Sequence, residues 1–239
     1  LESQAFEFGA KSWLEARKRG DEVGDTLVQP AQAAPKSKIP TWMMLLTVAA
    51  ATMLGTEELA GYQVVFTLFS TAAFALDALA IAAQALIGKY LGAHDVLAVR
   101  AVLRRTLQWG ALFGVAVGGV IAALSGVIGI AFTGDPALAA LIQPALLILA
   151  IAQPLAGIVF VLDGVLIGAG DVRYLALTGI LNLAAYLPLL WWVIAGGVGG
   201  ASGLAWLSAA FFGGYLSARA ITLGLRARGI RWQGADAGG

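Results

Sequence analysis

The segment that decides the fold reads DPALAALIQPALLILAIAQPLAGIVFVLDGVLIGAGDVRY and covers residues 135–174. No charged side chain occurs between 137 and 162, a run longer than the roughly 20 residues that a helix needs to cross a bilayer. Asp163 follows as a single carboxylate. An acid inside a span costs about 2.5–3.5 kcal/mol on insertion scales, so it normally faces a protein or water-filled interior. The segment therefore predicts a transmembrane helix and marks Asp163 as the first candidate functional residue.

The composition of the whole chain agrees with this interpretation. Of its 239 residues 59% are hydrophobic and only 12% are charged, whereas soluble domains carry about 25% charged residues. We expect an all-α polytopic membrane protein in contact with the lipid bilayer. The chain has no cysteine, and His94 is its single histidine, so we expect no cysteine or histidine metal site. We also expect no cofactor, no catalytic residue and no nucleic-acid partner.

Hydrophobic runs and their breaks predict six transmembrane helices in a domain that covers 40–229. A polar segment, 1–39, is expected to be a cytoplasmic connector from a longer chain, with a short amphipathic helix at 6–19, and 230–239 a cytoplasmic tail. Between 90 and 105 we expect a loop followed by a basic amphipathic turn, and the glycine-rich stretch 195–203 is the expected turn before the last span. The six predicted spans are about 40–56, 59–89, 106–134, 137–170, 174–195 and 202–226.

The placement of charge predicts the orientation. With six alternating helices, all 15 Lys and Arg residues fall on one side, in the connector, the second loop, the fourth loop and the C-terminal part. Glu57, Glu58 and Asp135 fall on the other side. By the positive-inside rule we expect both termini to be cytoplasmic. We expect the membrane to be the cytoplasmic (inner) membrane.

Two acids, Asp77 and Asp163, lie within predicted spans, and both fall toward the cytoplasmic half. A carboxylate in a medium of low dielectric constant favours a bound proton or cation, so each is a candidate for coupling to H⁺ or Na⁺. The alternative is a structural acid that hydrogen-bonds a neighbouring helix. Gln63, Gln84 and Asn182 are polar residues at membrane depth that are candidates to line a substrate cavity, or else to form interhelical hydrogen bonds.

The stretch G-A-S-G at 200–203 resembles the serine motif of six-helix intramembrane proteases. That chemistry needs a histidine base within hydrogen-bonding distance of Ser202. His94 is expected in a cytoplasmic loop, on the opposite side of the bilayer. We therefore predict that the chain is not an enzyme.

Three blocks of sequence carry a resemblance to a known family: L-A-G-Y-Q-V-V-F at 59–66, A-L-D-A-L-A-I-A-A-Q-A-L-I-G-K-Y-L-G-A at 75–93, and Q-P-L-A-G-I-V-F-V-L-D-G-V-L-I-G-A-G-D-V-R-Y-L-A-L at 153–177. They are similar to the C-terminal half of the multidrug and toxic compound extrusion (MATE) transporters, DinF branch. The resemblance implies helices seven to twelve of a twelve-helix protein. An N-terminal six-helix lobe of the same full-length chain would then be the partner.

The resemblance also implies a function. MATE transporters are cation-coupled antiporters that export drugs and other small organic molecules in exchange for H⁺ or Na⁺. Asp163 matches an acid that NorM-branch members use for cation binding, but the glutamate that partners it there has no counterpart at 42–56. The alternatives are a lipid-linked oligosaccharide flippase and a non-transporting membrane scaffold. A flippase of this kind should line its cavity with several basic residues, and none is expected at mid-membrane here.

Overall fold

A computed structural model describes the backbone of residues 39–229 and the side chains from Met43 onward. The proposed connector helix, most of the connector and the C-terminal tail lie outside the described residues. Within the described range the structure has helices and no strand, in agreement with the predicted all-α class. The helices are α1 (Ile39–Leu54), α2 (Thr56–Gly92), α3 (Val96–Thr133), α4 (Pro136–Gly168), α5 (Val172–Ala195), α6 (Gly200–Ser208), a π-helical segment (Ala209–Tyr215) and α7 (Leu216–Arg228).

Membrane-spanning potential is clearest in four of these helices. By length and composition α2, α3, α4 and α5 each suffice to cross a bilayer, and α1 contains a shorter apolar stretch, Met43–Leu54. The helix α6, the π segment and α7 follow one another without a break and correspond to the sixth predicted span. The described chain is therefore that of a multi-pass, all-helical membrane protein.

Helix boundaries differ from the sequence-based expectation in one region. The expected loop is shorter than predicted, since α2 runs to Gly92 and α3 starts at Val96, which leaves only 93–95 between them. The basic residues Arg100, Arg104 and Arg105 therefore form the first turns of α3, where all three are exposed. The two helices have 37 and 38 residues, about 55 Å each, and therefore extend beyond a hydrocarbon core of about 30 Å.

Local sequence signals explain where the helices begin and end. The Asp95 side chain accepts a hydrogen bond from the Ala98 N–H, and Asp135 does the same for Ala137, so both cap free N–H groups at a helix start. Pro136 occupies the first turn of α4, where its missing N–H costs nothing. Gly134 ends α3 in the left-handed conformation, with a φ of 66°.

The long uncharged segment forms α4, the central helix. In its most apolar window α4 is 61% buried, whereas the corresponding figures for α2 and α3 are 22% each. Pro144 and Pro154 lie inside this helix. A lipid-facing helix keeps most of its surface exposed in the isolated chain, so α4 is the element around which the other helices pack.

Close packing of α3 on α4 depends on a stripe of glycines. A Cβ atom on Gly114 or Gly118 would collide with the backbone of Gln153 or Ala150, and one on Gly157 would collide with Gly110. Small residues let transmembrane helices approach to backbone contact, which is the main source of packing energy in lipid. The glycines of α3 therefore permit its close approach to α4.

Candidate functional site

The centre of the candidate site is an ion pair between Asp163 on α4 and Arg219 on α7. Arg219 Nη2 lies 2.6 Å from Asp163 Oδ1, and Nε donates a longer contact of 3.4 Å to Oδ2. The guanidinium group therefore contacts both oxygens of the carboxylate, which is the two-point geometry that arginine favours. The sequence places Arg219 among the cytoplasmic charges in the last turns of the sixth span. In the structure Arg219 also forms an ion pair with Asp163, an acid within a predicted span.

A second ion pair joins the end of α7 to Asp171 in the turn between α4 and α5. Arg226 Nε is 2.6 Å from Asp171 Oδ2, and the Arg226 guanidinium lies over the Tyr174 ring, 5.0 Å from its centroid. Of the two pairs, the acid that comes later in the chain, Asp171, binds the arginine that comes later, Arg226, so α7 runs parallel to α4. The sequence contained a signal for this arrangement, because the acids and the arginines are both separated by about two helical turns.

The π segment sets the direction in which Arg219 points. It begins at Ala209 and ends at Tyr215, four residues before the arginine. A π turn takes in an extra residue, and one residue corresponds to a rotation of about 100° around a helix axis. A regular α-helix with the same sequence would therefore direct Arg219 away from its present position. Periodicity alone did not predict this segment.

Asp77 and Tyr215 complete the surroundings of the pair. Asp77 lies three residues before Ala80 on α2, and the backbone of Ala80 meets Gly164, the residue after Asp163 on α4, so the two acids lie at about the same level of two packed helices. Tyr215 lies four residues, about one helical turn, before Arg219. Asp77 itself is exposed in this chain and has no ion-pair partner among residues 43–229. The structure thus brings together the two acids predicted as coupling residues, together with one arginine. The cluster of Asp77, Asp163 and Arg219 is called the charge cluster below.

Gln63 lies far from the charge cluster. It precedes Asp77 by fourteen residues on α2, which is about 21 Å of helix. Together with Thr67 and Thr133 it lines an open groove of about 370 Å³. The apolar walls of the groove come from Ala60, Val64, Phe132 and Leu138. The groove lies at the end of α3 and the beginning of α4, the side predicted to face outward.

Gln84 and Asn182 occupy other positions. Gln84 is half-buried, and its backbone faces Gly168, where α2 and α4 come into close contact. Asn182 is only 1% exposed, and its Nδ2 donates a hydrogen bond of 3.2 Å to Thr222 Oγ1. Its amide is used to join α5 to α7, the interhelical alternative that the sequence left open.

Glu58 has a role that the sequence did not predict. It was expected only as an outer charge at the end of the first span, yet its side chain is buried and Oε1 accepts a hydrogen bond from the Gly200 N–H. A carboxylate at this place satisfies a free donor and complements the helix dipole at the start of α6. Gly55 has a φ of 155° and a Cβ there would meet the same carboxylate, so glycine is required.

The Glu58 contact also separates Ser202 from His94. It fixes the start of α6, which contains Ser202, beside the start of α2. His94 follows the other end of α2, about 50 Å along that helix. A serine and a histidine so far apart cannot form a nucleophile and its base.

Three further buried polar side chains stand out in the described part of the chain. The hydroxyl groups of Tyr62 and Ser208 and the amide of Gln153 are buried and have no hydrogen-bond partner there. Elsewhere in the core, Thr47 Oγ1 and Tyr186 Oη are 2.9 Å apart and link α1 to α5. No group of three or more metal-ligating acids, histidines or cysteines occurs within 39–229.

The comparisons with known proteins agree with the helical membrane architecture. The MatE family model matches residues 37–192, more than half of the chain. Protein DETOXIFICATION 43 of Arabidopsis thaliana is 32% identical over 136 residues, which are 57% of this chain and 26% of that protein. Protein DETOXIFICATION 44, chloroplastic, from the same plant is 28% identical over 159 residues, 66% of this chain and 30% of that protein.

The matched regions cover only part of the curated relatives. They correspond to between a quarter and a third of the length of these proteins. No solved structure gave a significant match. The family match nevertheless includes α1 to α4 and most of α5, and so contains Asp77 and Asp163. On the evidence of its fold and of this match, the chain belongs to the MatE family.

Proposed function

We propose that this chain is one lobe of a cation-coupled secondary antiporter. In this proposal the complete protein exports drugs or other organic compounds across the cytoplasmic membrane in exchange for H⁺ or Na⁺. A second six-helix lobe of the same full-length chain would enclose the substrate path, and both ends of the present chain would be cytoplasmic. The DinF branch, predicted from the sequence, remains part of the proposal.

One observation supports a coupled transporter above the other functions. The charge cluster puts two carboxylates and one guanidinium inside membrane-spanning helices, on the side of α4 that meets α7 and α2. Ionisable groups at this depth are costly and are characteristic of ion pathways and proton relays. A scaffold needs no such cluster. The names of the similar plant proteins, which describe detoxification, point in the same direction.

The cluster also suggests how ion and substrate would be linked. Its three formal charges sum to minus one, so a single proton or Na⁺ would neutralise it. In alternating access, the two lobes rock around a central site. A bound cation lowers the desolvation free energy of the cluster and so favours the conformation in which the cluster is shielded from water. Without the cation, the conformation in which water reaches the cluster is favoured. Gln63 and Gln84 are proposed to face the substrate path on α2.

The experiment uses the full-length protein in proteoliposomes. An Na⁺ gradient and a pH gradient are imposed separately, and efflux of the organic cation ethidium is measured. The proposal expects efflux against an ethidium gradient with one of the two ions and none when both gradients are collapsed. Movement of a lipid-linked oligosaccharide without either gradient would indicate the flippase instead. Absence of any transport would indicate a scaffold.

A further inference from the structure

We propose that Arg219 is the resident counter-ion of Asp163 and that the coupling cation must displace it. The inference rests on the proposed function and adds a residue to it. Asp163 then alternates between two positive partners, one covalently attached to the protein and one taken from solution. Binding of the external cation is thereby linked to the position of α7.

The geometry shows that Arg219 occupies the place of a cation. Its guanidinium contacts Oδ1 at 2.6 Å and approaches Oδ2 at 3.4 Å. A carboxylate engaged through both oxygens has little capacity left for a proton or a metal ion. An opposite charge within about 4–6 Å changes the affinity of a carboxylate for a proton by about ten- to a thousandfold. Arg219 therefore competes directly with any coupling cation.

Exposure and charge show that the pair can be opened. The Asp163 side chain is 30% exposed in the isolated chain and Arg219 is 14% exposed, so Arg219 does not cover the acid completely. Asp77 adds a second carboxylate from α2, which packs against α4 beside Asp163, so the three side chains together carry one unbalanced negative charge. Tyr215, the last residue of the π segment, lies one helical turn before Arg219 and is the other titratable group beside the pair. The remaining negative charge favours the entry of one monovalent cation.

The consequence for α7 follows from its attachments. Asp163 holds Arg219 in the last turns of α4, five residues before its end, and Asp171, in the turn between α4 and α5, holds Arg226. If a cation takes Asp163, only the first of these two attachments is released. Because binding free energies are reciprocal, whatever favours release of Arg219 also raises the affinity for the cation. The pair is thus a positioning device for the coupling step.

The test is the substitution Arg219→Gln in the full-length transporter. We expect a lower half-saturating Na⁺ concentration for ethidium efflux, by about tenfold or more, if Na⁺ is the coupling ion. With H⁺ as the coupling ion, the pH profile of transport should move to higher pH by about one unit or more. The matched control is Arg226→Gln, which breaks an arginine–aspartate pair on the same helix and should leave both quantities unchanged.

The conservative variant Arg219→Lys covers the case in which the glutamine variant does not insert. Lysine keeps the charge but not the two-point contact, so it should shift the ion dependence in the same direction by a smaller factor. An unchanged ion dependence in an inserted, active Arg219 variant would overturn the inference. If instead the wild-type protein responds to neither gradient, the proposed function fails first, and this inference fails with it.

Discussion

At the scale of single residues, Glu58 shows how a charge that looks like a surface group can support the fold. The sequence suggests a solvated acid at the end of a span. In the structure it is 7% exposed and caps α6 across a sequence separation of 142 residues. Its neighbour Glu57 is exposed. The two adjacent acids therefore allow the buried contact to be tested against an otherwise similar surface charge.

We predict that Glu58→Ala destabilises the protein by about 1.5–3 kcal/mol, the usual contribution of a hydrogen bond to a charged group. Removal of the carboxylate leaves the Gly200 N–H without its acceptor at the start of α6. The measurement is the thermal unfolding of the purified protein in detergent. Glu57→Ala should stay within about 0.5 kcal/mol of wild type. Equal effects of the two substitutions would contradict the assigned cap.

The charge cluster shows which part of a site a sequence reveals. Asp77 and Asp163 can be recognised because an acid inside an apolar run is conspicuous in any hydropathy profile. The contact between Asp163 and Arg219 could not be predicted, since it depends on the phase that the π segment gives to α7. Asn182 shows that a polar residue can be recognised in the sequence although its contact cannot. Its polarity was visible in the sequence, but its use in a hydrogen bond to Thr222 depends on the packing of α5 against α7.

At the scale of helices, the contact between α3 and α4 was largely predictable. Glycines at 110, 114 and 118 recur every four residues and so lie on one face of α3. In the structure this face meets the backbone of α4. The identity of the partner helix was not evident from the glycines themselves, because a small-residue stripe indicates close approach without naming the element that approaches.

We predict that Gly114→Ala destabilises the protein by about 1–3 kcal/mol, the typical cost of overpacking. The added methyl group would overlap the backbone of Gln153 and Pro154, which cannot rotate away as a flexible side chain could. Gly119→Ala is the control, because a Cβ there meets nothing within 4 Å. Thermal unfolding in detergent distinguishes the two. A stable Gly114→Ala variant would show that α3 and α4 are not in backbone contact.

At the scale of the whole molecule, helix number and orientation were inferred from the same charges. Breaks in hydrophobicity gave six segments, and six alternating segments put every Lys and Arg on one side. The exact boundaries were less accessible to this reasoning, as α3 starts ten residues before the predicted span. Hydropathy detects where lipid begins, whereas a helix continues beyond the bilayer wherever its backbone hydrogen bonds persist.

We predict that single cysteines will show opposite accessibility at Asp135 and Arg100. This chain contains no native cysteine, and cysteines elsewhere in the full-length protein would be replaced first. An impermeant maleimide added to intact cells should label a cysteine at Asp135 and not one at Arg100, by the positive-inside rule. Both positions are exposed. The reverse pattern would contradict the proposed orientation.

The central claim is that Asp163 links cation movement to export, and Asp163→Asn in the full-length protein tests it most directly. The amide keeps the size of the side chain and removes the charge that holds a proton or Na⁺. In proteoliposomes with an imposed Na⁺ or pH gradient, we predict that ethidium efflux loses its dependence on the ion that drives the wild type, while the protein still inserts and binds ethidium. Gradient-driven efflux that is unchanged in both rate and ion dependence would contradict the account.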